Sequence, residues 1–123
     1  MSRSPLSLLL VSADPARLRA ALTLGRAEIA LGSAASIFLQ GEAAALLRPP
    51  IADPRDAAWI AAGEPTLATL LDEALDDGVA VSLCQSGLAM AGIEAADLDP
   101  RIALTGPIAF LNEVHGEMRL LAL

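Results

Sequence analysis

Short apolar runs of strand length alternate along this chain with stretches whose apolar residues recur every three to four positions. That alternation limits the fold more than any other feature. The clearest unit is Val79-Ala80-Val81-Ser82-Leu83-Cys84, which stops at the only cysteine and runs into the small-residue turn Gln85-Ser86-Gly87 before Leu88. An apolar, β-branched run of this length between turn signals reads as a buried strand. Residues 6–11, 33–39, 102–105 and 117–123 fit the same template.

The stretches between them carry helix signals. Asp14-Pro15 supplies an N-cap and a proline at the first helical position, and Leu18, Ala21, Leu22, Ile29 and Ala30 share one face of a helix over 15–31. The same pattern puts Arg17, Arg19, Arg26 and Glu28 largely off that face, and Gly32 closes the helix. Residues 42–47 read as a helical turn or two. Pro49, Pro50 and Pro54 exclude regular structure over 48–54. A short helix over 56–62 carries Trp59, the only tryptophan, either as a packing anchor for that loop or as the wall of a pocket or subunit contact. From Glu64-Pro65-Thr66 a helix presents Leu67, Leu70, Leu71, Ala74 and Leu75 on one side and ends at Asp77-Gly78. Short helices are expected over 86–91, ended by Gly92, and over 107–114, opened by Gly106-Pro107. The connection 93–100 is turn-rich. Strands separated by helices imply an α/β fold, a mainly parallel sheet of about five strands joined by right-handed crossovers.

One domain over residues 1–123 accommodates this order. The hydrophobic fraction is 54% but aromatics are only 2%, so the core is built from Leu, Ala, Val and Ile, and further apolar area is expected in contacts between copies of the chain. The formal charge is −7 and all eight basic residues are scattered arginines. Without a basic stripe or stacking aromatics, direct nucleic-acid binding is not expected, and the negative charge argues against anionic membranes. The start resembles a secretory leader, but its apolar run over 6–11 is too short and ends at a helix-start signal. No stretch has the length of a membrane span. One cysteine cannot form an internal disulfide, and one histidine makes a dedicated zinc site improbable. Both suit a reducing cytoplasm.

Little in the chain carries chemistry. A dinucleotide or Walker fingerprint is missing, and the turn Ser12-Ala13-Asp14 after the first strand has no glycine. His115 lies near a helix end and reads as an exposed or capping residue. Asp72, Glu73, Asp76 and Asp77 read as a solvated face, with metal binding as the minor alternative. Cys84 remains. It is either a small buried apolar residue or a nucleophile whose thiolate is stabilised at the carboxyl end of a strand by a following helix. Gln85, Ser86 and Gly87 would support it, and Thr105-Gly106, at the end of a neighbouring strand, could face the same anion.

The run Val79 to Cys84, then Gln85-Ser86-Gly87-Leu88-Ala89-Met90-Ala91-Gly92-Ile93, then Ile102-Ala103-Leu104-Thr105-Gly106 and a closing helix, resembles the DsrE/DsrF-like family of small sulfur-relay proteins. The resemblance also takes in the first strand and helix. It implies a three-layer α/β/α fold with a five-stranded parallel sheet, assembly into homo-oligomers (trimer or hexamer), no cofactor, and a cysteine, here Cys84, that carries sulfur as a persulfide between donor and acceptor proteins. Family members often have basic residues just before the glycine of the cysteine turn; Met90 and Ala91 stand there in this chain. The alternative expectation is a non-catalytic oligomeric module that binds a small ligand or a partner protein. A thiol peroxidase is disfavoured because no second cysteine is available to resolve a sulfenic acid.

Overall fold

The structure is a computed structural model that describes residues 3–123. Five strands, β1 (Leu6–Leu10), β2 (Ala35–Leu39), β3 (Ala80–Cys84), β4 (Ala103–Thr105) and β5 (Arg119–Ala122), form one sheet in the order β4-β3-β2-β1-β5. Every neighbouring pair is parallel. The helices are α1 (Pro15–Ala30), α2 (Asp56–Ala61), α3 (Leu67–Asp77), α4 (Gln85–Ala91) and α5 (Pro107–Glu113), with 3₁₀ segments at Gly41–Leu47 and Ala95–Asp97.

Local chemistry explains the boundaries. Asp14 accepts the Ala16 N–H at 2.9 Å with Pro15 opening α1, and Thr66 accepts the Thr69 N–H at 3.2 Å to open α3. Gly78, at φ +99, turns the chain out of α3 into β3, a conformation that costs an L side chain strain. The strands are one to three residues shorter than the apolar runs suggested, most of all β5, because residues flanking the runs lie outside the ladders.

Alternation along the strands divides the molecule into two unequal layers. Leu6, Leu8, Leu10, Ile37, Leu39, Val81 and Leu83 face one side, where they pack with Leu18, Ala21 and Leu22 of α1 and Leu67, Leu70, Leu71 and Ala74 of α3. Each large aliphatic side chain buried here contributes roughly 1.5–3 kcal/mol relative to exposure. The opposite side carries Ser7, Ser36, Phe38, Ser82 and Cys84 and is covered by the short α5, whose Phe110 ring stacks on Phe38 at 4.6 Å between centroids.

Two of the charged residues placed off the apolar face of α1 are nevertheless buried. Arg19, at 7% exposure, is covered by Trp59 and Pro65, and Glu28, at 4% and on the opposite side of the helix, is covered by the Arg3 and Arg119 side chains. Glu28 accepts Arg3 Nε at 2.8 Å and Arg119 Nη2 at 2.7 Å, and these guanidinium contacts hold its carboxyl down to about 2. A depressed carboxyl pKa contributes stability that is complete above its unfolded value of about 4.5 and lost as pH falls towards the folded value. Urea midpoints of the native chain should therefore fall more steeply than those of Glu28→Gln between about pH 6 and pH 3. Parallel curves for the two proteins would mean that the carboxylate has no such role.

Candidate functional site

The candidate site lies where β3 hands over to α4. Cys84 is the last residue of β3 and the N-cap of α4, with extended backbone (φ −68, ψ 129), so the helix begins at Gln85, one residue earlier than the sequence suggested. Its side chain falls on the thinner layer, against Phe38 and Phe110, and is 3% exposed. Sγ lies 3.0 Å from the Ser86 hydroxyl. Gln85 and Ser86 are exposed at the start of α4, whereas Gly87 is buried.

Two opposed effects act on the thiol. Burial pushes its pKa up, but the Ser86 hydroxyl and the N–H groups of Gly87, Ser86 and Gly41 favour the anion, and the net direction is down from the ordinary thiol value. The site can therefore hold a thiolate next to an aromatic wall. Removing one of the favourable partners should reverse part of this. In Ser86→Ala the pH midpoint for alkylation of Cys84 is expected to move up, and an unchanged midpoint would assign the stabilisation to the backbone alone.

Gly41 was not singled out by sequence reasoning. It follows Gln40 at the end of β2, beside β3 in the register Leu39↔Leu83, and begins the 3₁₀ segment at φ +59. That segment packs on α4 at the closest approach in the site. A Cβ placed on Gly87 would lie 2.5 Å from the Gly41 carbonyl oxygen and 2.9 Å from the Ala44 Cβ. The usable signal was the pairing of a glycine in the cysteine turn with the small-residue run Gly41, Ala43, Ala44 after the preceding strand.

Thr105 is the register partner of Cys84 on β4 and is half-buried, but it makes no hydrogen bond to Sγ. Gly106 serves as the N-cap of α5 in extended conformation with open space around it. The backbone support for Sγ thus comes from α4 and the β2 end, not from the Thr105-Gly106 turn. His115 is exposed just past α5. The acidic residues of α3 are occupied by arginines: Asp72 and Asp76 meet Arg101 at 2.7 Å, and Glu73 and Asp77 meet Arg26 at 2.8 and 2.6 Å. Trp59 stacks over the Arg19 guanidinium, 3.9 Å from its ring centroid, in the wall of a cavity away from Cys84.

No protein-family model matches the chain, and no curated protein matches it. Solved structures do. A protein of unknown function from Methanobacterium thermoautotrophicum, MTH1491, superposes with a TM-score of 0.71 at 12% identity, covering 98% of this chain and 100% of that one. The ychN protein from E. coli superposes with a TM-score of 0.68 at 18% identity, again over 98% and 100%. Both share its fold. At these identities the likeness is one of architecture: a five-stranded parallel sheet flanked by helices, across nearly the whole chain. Among the described residues no helix is long and apolar enough to cross a membrane.

Proposed function

We propose that this chain is a sulfur-relay protein in which Cys84 carries sulfane sulfur as a persulfide. The observation that carries this reading is the thiol at the end of β3, turned towards its anion against the effect of burial by Ser86 and by the N–H groups of Gly87, Ser86 and Gly41. The Cys84 thiolate attacks the outer sulfur of a donor persulfide. A new sulfur–sulfur bond forms at Sγ, the donor's own sulfur–sulfur bond breaks, and the donor leaves as a thiolate with the bonding pair. An acceptor thiolate then attacks the outer sulfur on Cys84, whose thiolate is the leaving group. No electrons are gained or lost overall. The Ser86 hydroxyl and the three N–H groups stabilise Sγ whenever it is charged; Gln85 offers a polar group at the mouth, and Thr105 and Gly106 form the neighbouring wall.

The donor and acceptor in this reading are other thiol proteins of a reducing cytoplasm, and the active form is a homo-oligomer, a trimer or hexamer. Oligomerisation is supported by exposed apolar side chains on the thin layer and beside the site: Met90 at 88%, Ile108 at 86% and Leu111 at 62%. The test is intact mass after incubation with a low-molecular-weight persulfide. One added sulfur atom on the native chain and none on Cys84→Ser is the expected result; no adduct on either protein ends the proposal. The second reading, an oligomeric module that binds a ligand or partner without chemistry at Cys84, is favoured by the burial of the thiol and by Met90 and Ala91 standing where a basic pair would attract an anionic partner. Cys84→Ser with full cellular function would support it.

A further inference from the structure

An opening of about 530 Å³ lies away from Cys84, between α1, Trp59 and the start of α3. Its surface is mainly apolar, from Ala20, Leu24, Pro65, Leu70 and the Trp59 ring, and Arg19 stands in its wall. A volume of this order suits a small organic molecule.

Arg19 is the unusual part. It is 7% exposed, yet among the described residues no carboxylate lies within ion-pair distance, whereas Arg3, Arg26, Arg101 and Arg119 each have one; Asp56 feels its charge only from further away, with its own oxygens taken by the Leu67 and Asp53 N–H groups. Its Nη2 donates to the Pro65 carbonyl at 2.7 Å, and the Trp59 ring covers the guanidinium. Its Nη1 is buried with no acceptor among the described residues. A buried cation and a buried donor both call for a partner, and leaving them without one is costly. The cover is a side chain that is itself only half-buried: α2 has no buried residue of its own and is tied to the fold through Asp56, which accepts from the Leu67 and Asp53 N–H groups, so the Trp59 ring can turn without unseating the helix.

We propose that this cavity binds a small monocarboxylate with an apolar body, the carboxylate accepting from Arg19 once the Trp59 ring turns aside and the body lying along Leu24, Pro65 and Leu70. A planar guanidinium matches a carboxylate through paired N–H donors. Glu64, which also lines the opening, adds a negative charge that disfavours dicarboxylates and phosphates relative to a monoanion. The site is independent of the sulfur chemistry at Cys84.

Trp59 is the only tryptophan, so its fluorescence reports directly on the cavity. Titration with hexanoate should give a saturable change. Hexanamide, with the same body and no charge, should bind at least about tenfold more weakly, as loss of one charge-assisted interaction implies. Arg19→Gln should weaken hexanoate by a similar factor. Ala20→Phe, which fills the opening from an exposed position on α1 and leaves the Arg19 contacts in place, should abolish the change while the protein remains folded by circular dichroism. Cys84→Ser should titrate as the native protein does. No saturable change below roughly 10 mM hexanoate, equal binding of acid and amide, or native binding by Ala20→Phe would each overturn the proposal.

Discussion

Gly87→Ala should lose about 2 kcal/mol of stability and disturb Cys84 at the same time. Within a helix, alanine in place of glycine ordinarily gains about 0.5–1 kcal/mol. Here the added methyl would stand 2.5 Å from a backbone oxygen, Gly41 O, and 2.9 Å from the Ala44 Cβ. Neither belongs to the end of a flexible side chain, so α4 and the Gly41–Leu47 segment must separate, and overpacking of this kind costs typically 1–3 kcal/mol. The clash wins at the upper end of that range. Separation also withdraws the Gly41 N–H from Sγ, so the thiol pKa should rise towards the ordinary value. Urea unfolding and the pH dependence of alkylation read the two effects, and Gly106→Ala is the control, because nothing lies within 4 Å of the added methyl there and φ is −141. A Gly87→Ala protein as stable as the native one would show that the close approach does not hold.

Phe38→Ala should have a still larger effect on stability, roughly 3–5 kcal/mol, the range for emptying a buried aromatic site. Phe38 is 1% exposed, and its ring is both the partner of Phe110 and a wall against Cys84. Against a typical domain stability of 5–15 kcal/mol this is a large fraction. The side on which the cavity opens distinguishes it from other core variants. Leu22→Ala empties the opposite layer and should lose about 2–5 kcal/mol without exposing the sulfur. Cys84 alkylation in the folded state should be faster in Phe38→Ala only, after correction for the unfolded fraction. Equal rates in the two variants would mean that the ring does not shield the thiol.

The strand and helix order was legible because it rests on local signals. Apolar runs of strand length, Asp14-Pro15, Thr66 and Gly78 act within a few residues of themselves, and the observed elements follow them. The position of Cys84 at a strand end, and Ser86 two residues on, came from the same local pattern. What depended on distant chain was not legible. Gly41 reaches the sulfur through the β2–β3 register. The burial of Arg19 and Glu28 was not legible because helical periodicity counts residue type on one helix, whereas their burial is decided by Trp59, Pro65, Arg3 and Arg119 from elsewhere. Thr105 was placed beside Cys84 as the end of an adjacent parallel strand, and it is its register partner. Strand adjacency could not say whether its hydroxyl would reach Sγ.

The order β4-β3-β2-β1-β5 also has a kinetic side. Strands β1 to β4 are added outward one after another, each beside the strand before it, but β5 returns across the sheet to pair with β1 in the register Leu6↔Arg119. Closing so long a loop carries the largest entropic cost of any pairing in the sheet, so β5 docks after its neighbours have formed. Until then one edge of β1 presents unpaired N–H and C=O groups to any extended chain nearby. Glu28 then acts as a latch: already fixed on α1, it receives Arg119 only when β5 arrives in register, and so favours the chain's own strand over a stranger's.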